Sequence, residues 1–429
     1  MPAASPAAAS AGPVSASAGP VSASAGPASA SAGQASASVR PASATAASAS
    51  TPGSDTGATG VRPARRPTFH RLPIDRVERL CEDAVAVTFA VPDGLAQEYA
   101  FRPGQTLTLR KLVDGTDERR SYSICAPVGG PLRIAVREVP GGLFSRWLVR
   151  EAKPGEEVEV LTPSGLFTPE LGVPADHVLL AAGSGITPML SIAASVLAAD
   201  RDSTVTLLYG NRRSDTVMFA DELADLKDRY LGRFQLVHVL SRETRDAELL
   251  SGRLDPERVR ALLAALVDVG SVGHWWLCGP FGMVAGAKEL LAELDVPGER
   301  VHQELFHAED EPLPERDEDW ERTDASSGGA SSGGAAGPQS EVTVVLDGRG
   351  STLCLPRDRS ILDGAQRSRP DLPFACKGGV CGTCRALVTE GEVEMRRNFA
   401  LEEKELAAGY VLTCQARPLT DRVTVDYDR

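Results

Sequence analysis

Four cysteines near the C-terminus carry the strongest chemical signal in the chain. They read Cys376-Lys-Gly-Gly-Val-Cys381-Gly-Thr-Cys384, and Cys414 follows after a further 29 residues. A C-x4-C-x2-C…C spacing suits a loop that wraps a [2Fe–2S] cluster, whose irons require thiolate ligands. Gly378, Gly379 and Gly382 fit such a loop, because glycine reaches positive φ and lets backbone N–H groups approach the sulfides. A structural zinc site is the alternative reading. Zinc knuckles favour paired C-x2-C spacings, and here four residues separate the first pair. A one-electron centre of this kind needs a donor.

Two glycine turns upstream are suited to phosphate. Leu179-Leu-Ala-Ala-Gly183-Ser-Gly185-Ile-Thr187-Pro188 runs an apolar strand into a glycine turn and then a helix with proline in its first turn. This is the strand–turn–helix context of a dinucleotide pyrophosphate site, although Pro188 replaces the third glycine of G-x-G-x-x-G. Gly141-Gly142-Leu143-Phe144-Ser145 opens a helix-like stretch, and a helix N-terminus offers free N–H groups and a positive dipole end to an anion. The strand after the first turn ends Leu208-Tyr-Gly-Asn-Arg212-Arg213. An acidic residue there would hold the ribose 2′-hydroxyl of NADH. Two arginines suit the 2′-phosphate of NADPH instead, while nearby Asp215 leaves NADH open.

The elements that must position these residues fall into blocks. Residues 1–67 are mostly Ala, Ser, Pro and Gly with almost no large apolar residues, with four heptapeptide copies (AGPVSAS and variants) over residues 11–38. No Leu or Ile fills a coiled-coil seam, and such a segment cannot bury enough apolar surface to offset ordering, so a disordered tail is expected. Residues 68–171 alternate short apolar runs such as Val85–Phe89, Leu107–Leu109, Leu132–Val136 and Val158–Val160, which predicts a small antiparallel β-barrel. Residues 172–307 alternate strands (177–181, 204–209, 234–240, 274–277) with helices near 187–199, 219–230, 255–267 and 281–294. That pattern predicts an α/β domain with a parallel sheet. Residues 308–340, acidic and then Gly/Ser-rich, read as a flexible linker. Residues 341–429 form a compact α+β unit opening on a hairpin, Val342–Leu346 and Thr352–Leu355, around Asp347-Gly348.

Composition excludes several classes. A net charge of −13 argues against nucleic-acid binding. No apolar run reaches 18 residues and no secretory signal is evident, so a cytoplasmic protein without membrane association is expected. The remaining cysteines, Cys81, Cys125, Cys278 and Cys354, show no disulfide framework, which fits a reducing compartment. No G-x-S-x-G elbow occurs, and His302 and His307 read as surface or strand residues.

Taken together these motifs resemble the ferredoxin–NADP reductase superfamily joined to a C-terminal plant-type [2Fe–2S] ferredoxin of β-grasp type, and the resemblance covers residues 68–429. Arg120-Ser121-Tyr122-Ser123, read at the start of a strand, matches the flavin-binding R-x-Y-S motif. By that resemblance Arg120 pairs with the flavin pyrophosphate, Tyr122 packs on the isoalloxazine and Ser123 hydrogen-bonds near N5. Ser121 and Arg137 join the flavin set. Gly142, Leu143, Phe144 and Ser145 form the pyrophosphate turn of an FAD. Gly183, Gly185, Thr187 and Pro188 match the family's G-x-G-x-x-P, with Arg212 and Arg213 at the 2′-phosphate. Cys278-Gly279-Pro280 lines the nicotinamide pocket, and Glu304-Leu-Phe306 matches the family's E-x-F ending. Ser123, Cys278 and Glu304 are the implied catalytic residues. Cys376, Cys381, Cys384 and Cys414 are the implied cluster ligands. The domain order resembles the reductase component of a multicomponent oxygenase, passing electrons from NADPH through FAD and the [2Fe–2S] cluster to a di-iron oxygenase. An FMN/NADH-type reductase and a non-catalytic redox sensor or carrier are the competing readings.

Overall fold

The computed structural model describes residues 37–40, 68–306 and 338–429. The expected linker therefore lies outside the described residues apart from its end, as do His307 and all but four residues of the expected tail.

Residues 68–171 build an antiparallel barrel. Its six strands run in the order Thr116–Ser123, Thr106–Val113, Glu157–Leu161, Phe69–Cys81, Ala84–Phe89, Arg133–Arg137. A bridge between Ile124 and Ile134 joins the two ends of that series. Side chains that alternate inward, such as Leu72, Ile74, Leu107, Leu109, Val158 and Val160, fill the interior. Arg120–Ser123 closes a strand rather than starting one. The strand begins at Thr116, just past the turn where Asp114 and Gly115 both hold positive φ.

The middle module is a five-stranded parallel sheet ordered Phe234–Leu240, Thr204–Asn211, Asp176–Ala182, Val272–Cys278, Val301–Glu304. Helices Ile186–Ala199, Ala220–Arg229, Pro256–Leu266 and Phe281–Glu293 lie within a residue or two of the expected stretches. Strand order reverses between Asp176–Ala182 and Val272–Cys278, and the C-terminal ends flanking such a switch point are where open α/β sheets bind ligands.

The C-terminal module has a mixed five-stranded sheet around helix Ile361–Ala365. Its hairpin pairs Leu346 with Arg349, and Asp347 and Gly348 take φ of 61° and 64°. Both central residues are thus left-handed, as a two-residue type I′ turn requires. One feature departs from the expected tail. Ala37–Val39 pairs antiparallel with Val393–Met395, and Val39 is 5% exposed within the core of this module. A run of Ala and Ser lacks the periodicity that would mark a strand, but an open sheet edge recruits it through backbone bonds.

Candidate active site at the meeting of three modules

The ends of three strands converge on one point. Cys278 closes its strand and pairs in register with Glu304 of the neighbouring strand. Ser123 closes a barrel strand, and its hydroxyl donates to Glu304 Oε2 at 2.7 Å, across the boundary between barrel and parallel sheet. Burial pushes the Glu304 carboxyl up to about 7, partly opposed by the Ser123 bond. Cys278 is fully buried and its thiol is driven well up, first by burial and then by Glu304. The three expected catalytic residues are thus brought together. A carboxyl poised near neutrality can hold or release a proton at working pH.

The turn Gly183–Gly185 lies beside them. A Cβ on Gly185 would sit 2.1 Å from the Cys278 carbonyl oxygen, so only glycine lets the turn lie against the strand end. Tyr209 Oη donates to Gly183 O at 3.0 Å and Thr187 Oγ1 to Ser184 O at 3.0 Å, so Thr187 braces the turn. Pro188 is buried in the first turn of helix Ile186–Ala199, which no side chain caps. The Ile186 N–H is bonded to Gly183 O and Ser184 O and Pro188 carries none, so this helix start offers an anion chiefly its positive dipole end. Gly279 packs against Ala182, and Pro280 caps helix Phe281–Glu293.

Arg212 and Arg213 are exposed at the end of the second strand. Arg213 Nε is 3.1 Å from Asp215 Oδ1, so that acid is already engaged by a cation. Sequence reasoning missed Arg242: two residues past the third strand, its backbone N–H donates to Arg212 O at 2.8 Å, which sets the two arginine residues side by side at the same rim. The SRE stretch at 241–243 was the available signal. Glu243 is likewise occupied, accepting Ser214 N and Oγ at 2.9 Å each.

The residues expected at the flavin divide into two groups. Helix Leu143–Arg150 also has no side-chain cap, and Gly142 precedes it, so its opening N–H groups fit a diphosphate. Ser145 Oγ accepts from Val139 N at 3.1 Å and donates to Gly142 O, which commits it to closing the turn. The Phe144 ring is buried in the barrel core, tilted against Tyr122 at 6.2 Å. Phe144 can therefore offer a ligand only its backbone. Arg120 Nη2 pairs with Glu118 at 2.8 Å, and Ser121 Oγ lies 3.0 Å from Thr108 Oγ1. Arg137 bridges modules by donating to Thr216 O at 2.6 Å. Phe306 packs on the core of the parallel-sheet module.

Among the described residues, no three His, Cys, Asp or Glu side chains converge on one ion-sized point. The four cysteine thiols influence one another instead: neighbouring thiols push Cys376 and Cys414 up, and Cys376 holds Cys381 down. Four thiols close enough to perturb one another are the soft ligand set that an iron–sulfur cluster takes. Gly379 and Gly382 hold positive φ in the loop, as does Lys377 at 53°.

The loop is docked. Thr383 Oγ1 lies 3.3 Å from Thr108 Oγ1 of the barrel, and the buried Arg119 guanidinium stands 4.1 Å over the Phe374 ring. His302, expected as a surface or strand residue, is a strand residue facing the C-terminal module, with Nδ1 3.7 Å from Glu402.

Family models match in the same order. An oxidoreductase FAD-binding domain matches residues 71–168, an oxidoreductase NAD-binding domain residues 179–289, and a 2Fe-2S iron-sulfur cluster binding domain residues 344–419. The chain is 44% identical to one of the subunits of the 1,2-phenylacetyl-CoA epoxidase of Escherichia coli (strain K12), over 84% of this chain and 98% of that protein. It is 33% identical to the ferredoxin reductase component of 3-ketosteroid-9-alpha-monooxygenase of Rhodococcus rhodochrous, over 83% and 96%. An intact type IV self-sufficient cytochrome P450 monooxygenase shares the fold, with a TM-score of 0.59 and 23% identity over 83% of this chain and 41% of that one. The chain therefore belongs to the family of FAD-, NAD(P)- and [2Fe–2S]-binding reductase components that supply electrons to oxygenases.

Proposed function

We propose that the protein draws hydride from NADPH onto FAD and delivers single electrons through its cluster to the di-iron oxygenase of a phenylacetyl-CoA ring epoxidation, as part of phenylacetate breakdown. The observation that carries the electron path is the Ser123–Glu304 bond beside Cys278, with the cysteine loop docked on the same barrel strands. Identity to the phenylacetyl-CoA epoxidase protein over nearly its whole length supports the oxygenase type. The stretches Val239-Leu-Ser-Arg-Glu243, Leu249-Leu-Ser-Gly-Arg-Leu-Asp255, Gly391-Glu-Val-Glu-Met395 and Ala408-Gly-Tyr-Val-Leu-Thr-Cys414 resemble the same protein. The arginine rim supports NADPH, because Arg213 neutralises Asp215 and leaves Arg212 and Arg242 for a 2′-phosphate.

When bound, the flavin accepts a hydride and the cluster passes on single electrons. The chain supplies orientation. The N-termini of helices Leu143–Arg150 and Ile186–Ala199, neither capped by a side chain, would receive the diphosphates. Gly185 sets the turn against Cys278, where the strand ends would receive the nicotinamide. Ser123 and Glu304 place a hydrogen-bonding hydroxyl and an exchangeable proton at the meeting point. Cys278 walls the pocket with a neutral, buried thiol that excludes water. Cys81, Cys125, Cys278 and Cys354 form no disulfide, which supports a reducing cytoplasm.

Cys381→Ser tests the order of transfer. Flavin bleaching by NADPH should stay within about twofold of the parent rate, while reduction of one-electron protein acceptors should be lost. Undiminished oxygenase turnover in this variant would show that the cluster is not the exit.

A further inference from the structure

A line of hydroxyl groups crosses from the barrel into the cysteine loop. Thr108 is fully buried on strand Thr106–Val113, between Leu107 and Leu109, which fill the barrel interior. Its own side chain therefore leaves the barrel wall on the outer face. There Thr108 Oγ1 lies 3.0 Å from Ser121 Oγ and 3.3 Å from Thr383 Oγ1 of the C-terminal module. Thr383 stands between two expected cluster ligands, Cys381 and Cys384. Cys376 holds the Cys381 thiol down, and the Thr383 hydroxyl and backbone N–H add to this by bonding it. The line thus reads Ser121, Thr108, Thr383, Cys381.

Its barrel end lies on the face that carries the candidate active site. Arg119, Ser121 and Ser123 alternate on one side of strand Thr116–Ser123. Ser123 meets Glu304 on that side, and Arg119 stands over Phe374, two residues before Cys376. A buried hydroxyl costs stability unless it is bonded. It can donate once and accept twice, so Thr108 can bond both neighbours at once. Valine would fill the same space without that demand, so what threonine adds at this position is the connection.

We propose that Thr108 is a positioning residue for electron entry, holding Ser121 and Thr383 in one hydrogen-bonded line so that the electron enters the cluster at its Cys381 corner. The proposal rests on the functional reading above. One electron at a time passes from the reduced flavin, its reductant, to the oxidised cluster, its oxidant. No bond in the line forms or breaks, and each hydroxyl keeps its proton. Two such transfers clear the pair that each hydride brings. Electron transfer falls off steeply with the width of the gap it crosses, and the line replaces a loose contact between modules with bonded steps of 3.0 and 3.3 Å.

Thr108→Val in the full-length holoprotein removes the hydroxyl and keeps the shape, and Thr108→Ser returns the hydroxyl. Anaerobic stopped-flow spectra separate flavin bleaching by NADPH from the later bleaching of the cluster. In Thr108→Val the flavin should bleach at the parent rate, while transfer to the cluster should slow about fivefold, the factor equivalent to one lost hydrogen bond of about 1 kcal/mol. Thr108→Ser should recover the parent transfer rate. Amide hydrogen exchange, read without any electron transfer, should quicken over residues 380–384 in Thr108→Val and not in Thr108→Ser. Transfer at the parent rate or unchanged exchange in Thr108→Val would overturn the proposal, as would a loss that Thr108→Ser fails to restore. Failure of NADPH to bleach the flavin in the parent protein would instead overturn the functional reading beneath it.

Discussion

Substituting Gly185 by alanine tests how closely the glycine turn must approach the end of the central strand. The new Cβ would lie 2.1 Å from the Cys278 carbonyl oxygen, 2.6 Å from its carbon and 3.0 Å from Gly279 N. These are backbone atoms, so no side chain can swing aside. Relaxed non-bonded separations are about 3.5 Å, so the turn and the strand end must part by more than about 1 Å. A displacement of that size at a reacting centre costs about a hundredfold in rate. Anaerobic stopped-flow reduction of the flavin by NADPH should slow by about that factor, with the melting temperature recorded alongside to separate misplacement from unfolding. Gly282→Ala is the matched control. Its Cβ meets nothing within 4 Å on helix Phe281–Glu293, so the rate should hold and stability should rise by about 0.4–1 kcal/mol. Flavin reduction at the parent rate in Gly185→Ala would refute the close approach and the pocket built on it.

Two further substitutions probe other joints. Glu304 has its carboxyl raised to about 7 from an ordinary 4.5, so it favours the folded state while protonated, and that contribution is lost as pH rises from 4.5 through 7. Glu304→Gln should flatten the pH dependence of flavin reduction near neutrality and gain stability relative to the parent over the same window; an unchanged pH–rate profile would remove Glu304 from the proton path. Val39→Ala deletes two buried methyl carbons from the C-terminal module, worth about 1.6 kcal/mol at about 0.8 kcal/mol each. Denaturant unfolding followed through cluster absorbance should shift accordingly, and an unmoved midpoint would mean that Ala37–Val39 does not pair with Val393–Met395.

Legibility followed the range of the forces involved. The hairpin at Asp347-Gly348 could be read because two left-handed residues in succession are demanded locally, and the helices because apolar periodicity is local as well. Cys376 through Cys414 could be read because the ligand spacing is itself the chemistry. What escaped depends on partners distant in sequence. Arg242 joins Arg212 only through parallel neighbouring strands. Arg119 and Phe374 meet only because two modules dock. Ser145 looked like a phosphate ligand from its position, yet Val139 N and Gly142 O claim its hydroxyl. Ala37–Val39 carries no strand pattern and is ordered by the edge it covers.

The central claim is an electron path from a pyridine nucleotide through flavin to the cluster, with the arginine rim selecting NADPH. An anaerobic visible titration of the purified protein with NADPH and, separately, NADH tests it most directly. Flavin bands and the broad iron–sulfur absorption should both bleach, and fastest with NADPH. Bleaching by NADH alone would contradict the role of Arg212, Arg213 and Arg242, and bleaching by neither would contradict the path itself.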